Sequence, residues 1–115
     1  MDVLEFPDAD GWERWLRSHH DVHTEAWLRI GKKNRGAGLV SIDEALDVAL
    51  CYGWIDGLRR AYDDVSFLQR YSRRRPRSSW SKINVARVEA LTAAGRMQPP
   101  GLDHVAAAQA DGRWR

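Results

Sequence analysis

Apolar positions along the chain recur at two periods, about 3.6 and 2, and the alternation between them marks out the expected elements. Trp12, Trp15 and Leu16 share one helical stripe, with Asp8 or Asp10 placed to cap it and an end near Ser18. Glu25 to Lys33 switches to period two. Ala26, Leu28 and Ile30 point one way, and Trp27 and Arg29 the other, which predicts a strand. Asn34 to Gly38 reads as a turn. Ser41-Ile-Asp-Glu44 is a capping box, and Ile42, Ala45, Leu46, Ala49 and Leu50 follow at helical spacing to about Tyr52.

Gly53 stops that helix. Trp54–Tyr62 and Ser66–Ser72 read as a hairpin turning at Asp63-Asp64. Pro76 breaks the chain, and Ser78–Ser81 opens a third helix with Val85, Val88 and Leu91 inside and Gly95 as its stop. Pro99-Pro100 precedes a short final helix, Leu102–Ala110. The predicted order is α-β-α-β-β-α-α. It describes an α+β fold with a small, mostly antiparallel sheet of about three strands covered by helices. A parallel first pair stays open, because a helix joins the first two strands.

At 115 residues the chain reads as a single domain over residues 1–115. One cysteine excludes an internal disulfide framework and a cysteine-based zinc site. The acidic start, MDVLEFPDADGW, lacks the apolar stretch of a signal peptide, and no run nears the roughly 18 apolar residues of a membrane helix. The expectation is a cytoplasmic protein with no membrane role. The net charge of +2 conceals an asymmetry: residues 1–57 carry a net −5 and residues 58–115 a net +7. The positive charge is focused between residues 59 and 77.

The focus is RYSRRRPRSSWSKIN, residues 70–84, with five arginines in its first eight positions. Arg70, Arg73 and Arg77 supply guanidinium forks suited to phosphate or carboxylate. Ser79 and Ser81 add hydroxyls near a helix N-terminus, Trp80 a stacking plate, and Asn84 follows Trp80 by one helical turn. That pattern describes a defined anion-binding corner, with Arg77 foremost. The plainer account is a helix cap behind a solvated basic loop. Gly53-Trp-Ile-Asp-Gly57 sets Trp54 and Asp56 on one side of a strand, where Asp56 either accepts from a ligand donor or pairs with Arg59, Arg70 or Arg73. His19 and His23 stand at i,i+4 spacing, but the helix ends between them and no metal is expected. Cys51, beside Glu44 and Asp47, is no nucleophile by this reading, and nothing calls for a cofactor.

Several segments together carry a family resemblance: Trp12-x-x-Trp15-Leu16, Glu25-Ala-Trp-Leu-Arg-Ile-Gly-Lys-Lys33, Cys51-Tyr-Gly-Trp-Ile-Asp-Gly57, Ser79-Trp-Ser-Lys-x-Asn84 and Asp111-Gly-Arg-Trp114. Across nearly its whole length the chain resembles the YdeI/OmpD-associated family, also called bacteriocin-protection proteins. Members commonly carry Thr-Pro-Arg where this chain has Ser72-Arg73-Arg74. The resemblance implies an α+β domain akin to frataxin-like (CyaY) and YjbR-like folds. It implies a link to antimicrobial-peptide or stress resistance, and no catalytic residue. Three functions follow as expectations. The first is a non-catalytic domain binding a small anion or an acidic protein partner. The second is an enzyme on a small anionic metabolite with Asp56 as acid/base. The third is weak, sequence-independent nucleic-acid binding.

Overall fold

A computed structural model describes residues 2–114. The elements run β1 (Val3–Leu4), α1 (Ala9–His19), β2 (Glu25–Gly31), α2 (Ile42–Cys51), β3 (Trp54–Ala61), β4 (Ser66–Arg73), α3 (Lys82–Ala93) and α4 (Pro99–Ala110). The sheet has four strands in the order β1-β2-β4-β3 and is mixed. β1 lies parallel to β2, while β2–β4 and β3–β4 are antiparallel. The expectation of about three strands, with a helix first, is therefore corrected. Two residues are too short a strand to show a period, and β1 exists only because Val3 and Leu4 find Trp27 and Leu28.

Local signals place most of the helices. Asp8 accepts from Gly11 N–H and caps α1. Ser41 caps α2: its Oγ accepts from Glu44 N–H (3.3 Å), and the Glu44 side chain turns back to accept from the same hydroxyl (2.8 Å), not from the Ser41 N–H as in a full capping box. The third helix starts at Lys82, later than Ser78, because Ser81 takes the cap by accepting from Asn84 N–H. The last begins at Pro99, earlier than Leu102. Its two prolines occupy the first turn, where missing N–H groups cost nothing.

The core gathers on one sheet face. Ala26, Leu28, Ile30, Tyr71 and Trp54 meet Trp12 and Leu16 of α1. Trp12 is wholly buried, stacks beside Trp15, meets Trp54 edge-on, and donates its indole N–H to Ala45 O at 3.0 Å. α2 is central, touching α1, β3, α3 and α4. Its buried residues are Ala45, Val48, Ala49, Leu50 and Cys51, while Ile42 and Leu46 are only partly buried. A single apolar stripe misses this, because α3 and α4 cover further flanks of the helix. On the opposite sheet face Arg60 lies over Trp27, and Arg29 bonds Glu5, Asp63 and Ser66.

One corner joins four elements. Gly53 ends α2 with φ +75°, and a Cβ there would sit 2.7 Å from His104 Cδ2 and 2.9 Å from Pro100 O. Its carbonyl accepts from Arg74 N–H at 3.0 Å, and Gln98 N–H donates to Cys51 O. Leu50, 1% exposed, lies just before this corner. Leu50→Ala should lose about 2–5 kcal/mol in urea denaturation, and Leu46→Ala clearly less, since it removes a partly solvated side chain. Equal losses would mean that α2 is not covered as described.

Candidate functional site

β4 ends at Arg73, and the chain bends through Arg74, Arg75 and Pro76 before reaching α3. The bend opens a cleft of about 630 Å³ against β3, lined by Asp56, Gly57, Arg70, Arg73, Arg74 and Arg75 with Ser72 and Ser78 nearby. Each charge is held differently. Arg70 Nε donates to Glu25 Oε1 at 3.3 Å. A Cβ on Gly57 would lie 3.6 Å from Arg70 Nη1, an ordinary contact distance, so the Arg70 guanidinium lies close beside this stretch of β3. Arg73 Nε donates to His23 O at 3.1 Å. Arg75 is exposed on the loop.

Arg74 is the unusual member. It is only 5% exposed, and no carboxylate pairs with it among the described residues. Its guanidinium carbon sits 3.5 Å from the centroid of the Trp80 ring. Nη1 donates to Ser78 Oγ (2.9 Å) and Ser79 O (3.1 Å), while buried Nε has no partner. Burial pushes its pKa down to about 10, Asp56 acting in the opposite sense and Arg113 in the same sense, so it stays charged at neutral pH. An unpaired buried cation is costly, and the stacked indole and two acceptors offset only part of that cost.

Asp56 reaches the cleft exposed and without an ion pair among the described residues, contrary to the expected lock with a hairpin arginine. Strand geometry explains this. A bulge between Asp56 and Arg59 shifts the register, and Arg59 turns to Gln69 and the Phe67 ring. Asp56 faces Tyr71 in the ladder, so neighbouring Arg70 projects from the other face, and Arg73 is engaged by His23. The Tyr71 hydroxyl is buried and unpartnered, and its pKa is raised first by burial and then by Asp56.

Of the residues singled out from the sequence, Asp56, Arg70 and Arg73 all line the cleft, Arg70 from the other face of the sheet. Trp54 is core, packed edge-on against Trp12 and Trp15, with its indole N–H unpartnered. Arg77 lies outside the cleft, near Asp111, whose ionised form is favoured first by Arg113 and last by Arg77. Ser79 offers its carbonyl to Arg74 and caps nothing. Trp80 lies under Arg74 and against Trp114, and Ser81 caps α3 through the N–H of Asn84. Of the expected corner, Arg77 lies outside this cleft, whereas Arg74 and Arg75 line it. No sequence signal separates Arg74 from its neighbours; its burial follows from the Gly53 carbonyl that holds its backbone.

Among the described residues, no group of three or more His, Cys, Asp or Glu could hold a metal. Cys51 is buried within the core, not on a polar face, and its thiol is raised to about 11, chiefly by burial. The cleft lining offers guanidiniums, hydroxyls and one carboxylate. Chemically, such a set is able to hold an anion and to accept from a donor on the same ligand.

Behind Arg74, His104 sits against Gly53. Burial first, then Arg74 and Arg113, hold it below the ordinary 6.5, with Asp103 opposing. The folded state therefore resists its protonation. As pH falls through about 6.5 the unfolded chain takes up that proton first, so the stability present above this pH is progressively lost. Urea denaturation from about pH 7.5 down to about pH 5 should show this loss, and His104→Gln should flatten it. An unchanged slope in the variant would assign the loss to other groups.

A family model described as Domain of unknown function (DUF8412) matches residues 4–104. Neither a curated protein nor a solved structure matches the chain.

Proposed function

This chain belongs to the DUF8412 family, and we propose that it is a non-catalytic binding domain whose ligand is an anionic small molecule or an acidic segment of a partner. One observation carries the proposal. Four arginines line a cleft with one carboxylate, Asp56, and among the described residues only Arg70 of the four has an ion pair. Like charges collect in this way at a cost in self-repulsion, which a bound anion relieves. The resemblance to the YdeI/OmpD-associated family, a cytoplasmic setting and a role in antimicrobial-peptide or stress resistance belong to the same proposal. No helix among the described residues is long and apolar enough to cross a membrane.

A second reading draws on Asp56, which faces the cleft without an ion pair. A carboxylate so placed is free to act as acid or base on a bound metabolite. Asp56→Asn separates the two: binding persists in both, and only an enzyme loses turnover. The nucleic-acid reading gains less. Trp12, Trp27, Trp54 and Trp80 are buried, so the stacking surface that single strands use is missing among these four indoles. Salt-sensitive phosphate contacts by the basic loop are what remains of it.

Calorimetric titration with inorganic phosphate and malonate tests the main reading. Arg73→Ala and Arg75→Ala should each weaken binding roughly tenfold, the size expected for a charge-assisted contact. Arg77→Ala, outside the cleft, should leave binding unchanged. Equal affinity in all three variants would remove the cleft as the site.

A further inference from the structure

The charges lining the cleft also say what kind of anion suits it. Glu25 takes Arg70, and Asp56 offsets one more of the four guanidiniums, which leaves two positive charges unanswered among Arg73, Arg74 and Arg75. All three line the cleft at the bend where β4 ends. Arg74 contributes from a nine-tenths buried position, with Nε lacking a partner and its plane fixed by Trp80 and Ser78. A fork held that rigidly suits a compact, doubly charged oxyanion better than a single carboxylate. The volume of about 630 Å³ exceeds what a lone oxyanion fills. Asp56 stands in the same cleft as the one acceptor carboxylate, and it would repel an anion placed beside it.

Resting on the anion-binding reading above, we propose that the cleft takes a small phosphomonoester. Its dianionic phosphoryl group lies against Arg73, Arg74 and Arg75, and a hydroxyl or amine of its organic part donates to Asp56. The two ends of the ligand thus answer the two kinds of charge in the cleft. Arg74 is the anchor. Arg73 and Arg75 gather the anion at the rim, and Asp56 sets the orientation by excluding phosphate from its own end. The phosphoryl oxygens supply the negative charge that the buried guanidinium lacks.

The test uses the full chain and titrates glycerol 3-phosphate, inorganic phosphate, sulfate, malonate and acetate by calorimetry. Glycerol 3-phosphate should bind at least about tenfold tighter than acetate and about fivefold tighter than inorganic phosphate. Asp56→Ala should bring the ratio of the two phosphates close to one, while inorganic phosphate itself binds as well or better. The phosphoryl group takes up a proton near pH 6, so affinity for glycerol 3-phosphate should fall about tenfold between about pH 7.5 and about pH 5. Sulfate, dianionic throughout, should not follow that fall. Arg74→Lys keeps the charge but loses the fork and should weaken phosphate binding about tenfold. Should that variant fail to fold, the Arg74 Nε–H signal in nuclear magnetic resonance of the unaltered chain replaces it. That signal should move on adding phosphate, and a stationary signal overturns Arg74 as anchor. Malonate binding as tightly as glycerol 3-phosphate, still sensitive to Arg73→Ala, would overturn the phosphomonoester while leaving an anion cleft. No binding by any of the five would remove both.

Discussion

The corner at Gly53 is the constraint on which the rest of the molecule depends. There α2 must stop, β3 must start, the loop after β4 must return, and α4 must dock, all within a few ångströms. Only a residue without Cβ fits between His104 and Pro100, and a glycine there also adopts the left-handed turn without strain. Gly101 makes the matching concession from α4, where a Cβ would run into the carbonyl of Cys51. Two hydrogen bonds, Arg74 N–H to Gly53 O and Gln98 N–H to Cys51 O, then lock the returning segments to the corner. The cleft inherits its shape from this joint, since Arg74 is the first residue past the sheet.

Holding the backbone of Arg74 at the corner also fixes where its charge goes. The side chain passes under the loop onto Trp80, and Trp80 in turn meets Trp114. Arg113 donates to the carbonyl of Ser78, whose hydroxyl accepts from Arg74. The cleft floor and the end of the chain beyond α4 are therefore coupled through one loop of a few residues. A change in the charge balance at Arg74 is felt by both. His104 lies on the same path, and its resistance to protonation reflects first its own burial and then the positive charge of Arg74 and Arg113.

Much of the fold was legible because its signals are local. The cap at Ser41, glycine stops at Gly53 and Gly95, and the two-residue alternation of β2 act over a few positions and need no knowledge of partners. What escaped depends on distant contacts. β1 has no period of its own. Val48 and Cys51 are buried because α3 and α4 arrive from beyond residue 80. The site divides along the same line. Asp56 and Arg70 were visible as charges on strands, and Arg73 as the first charge of the basic loop. Arg77 drew attention through its serine neighbours in sequence, whereas Arg74 gained its place through a hydrogen bond to a glycine 21 positions earlier. Asp56 stands unpaired because a bulge, which a sequence pattern does not register, turned Arg59 elsewhere.

That bulge has a second consequence, at the margin of the sheet. β3 is an outer strand, and an outer strand with a flat run of free amides and carbonyls invites another chain to add itself. Between Asp56 and Arg59 the ladder slips, and the strand carries Arg59 and Arg60 on its exposed half. The other margin is β1, two residues long. Neither margin offers a straight template of useful length. Among the described residues, irregularity blunts the sheet at one side and brevity at the other, two devices by which edge strands discourage pairing with another chain.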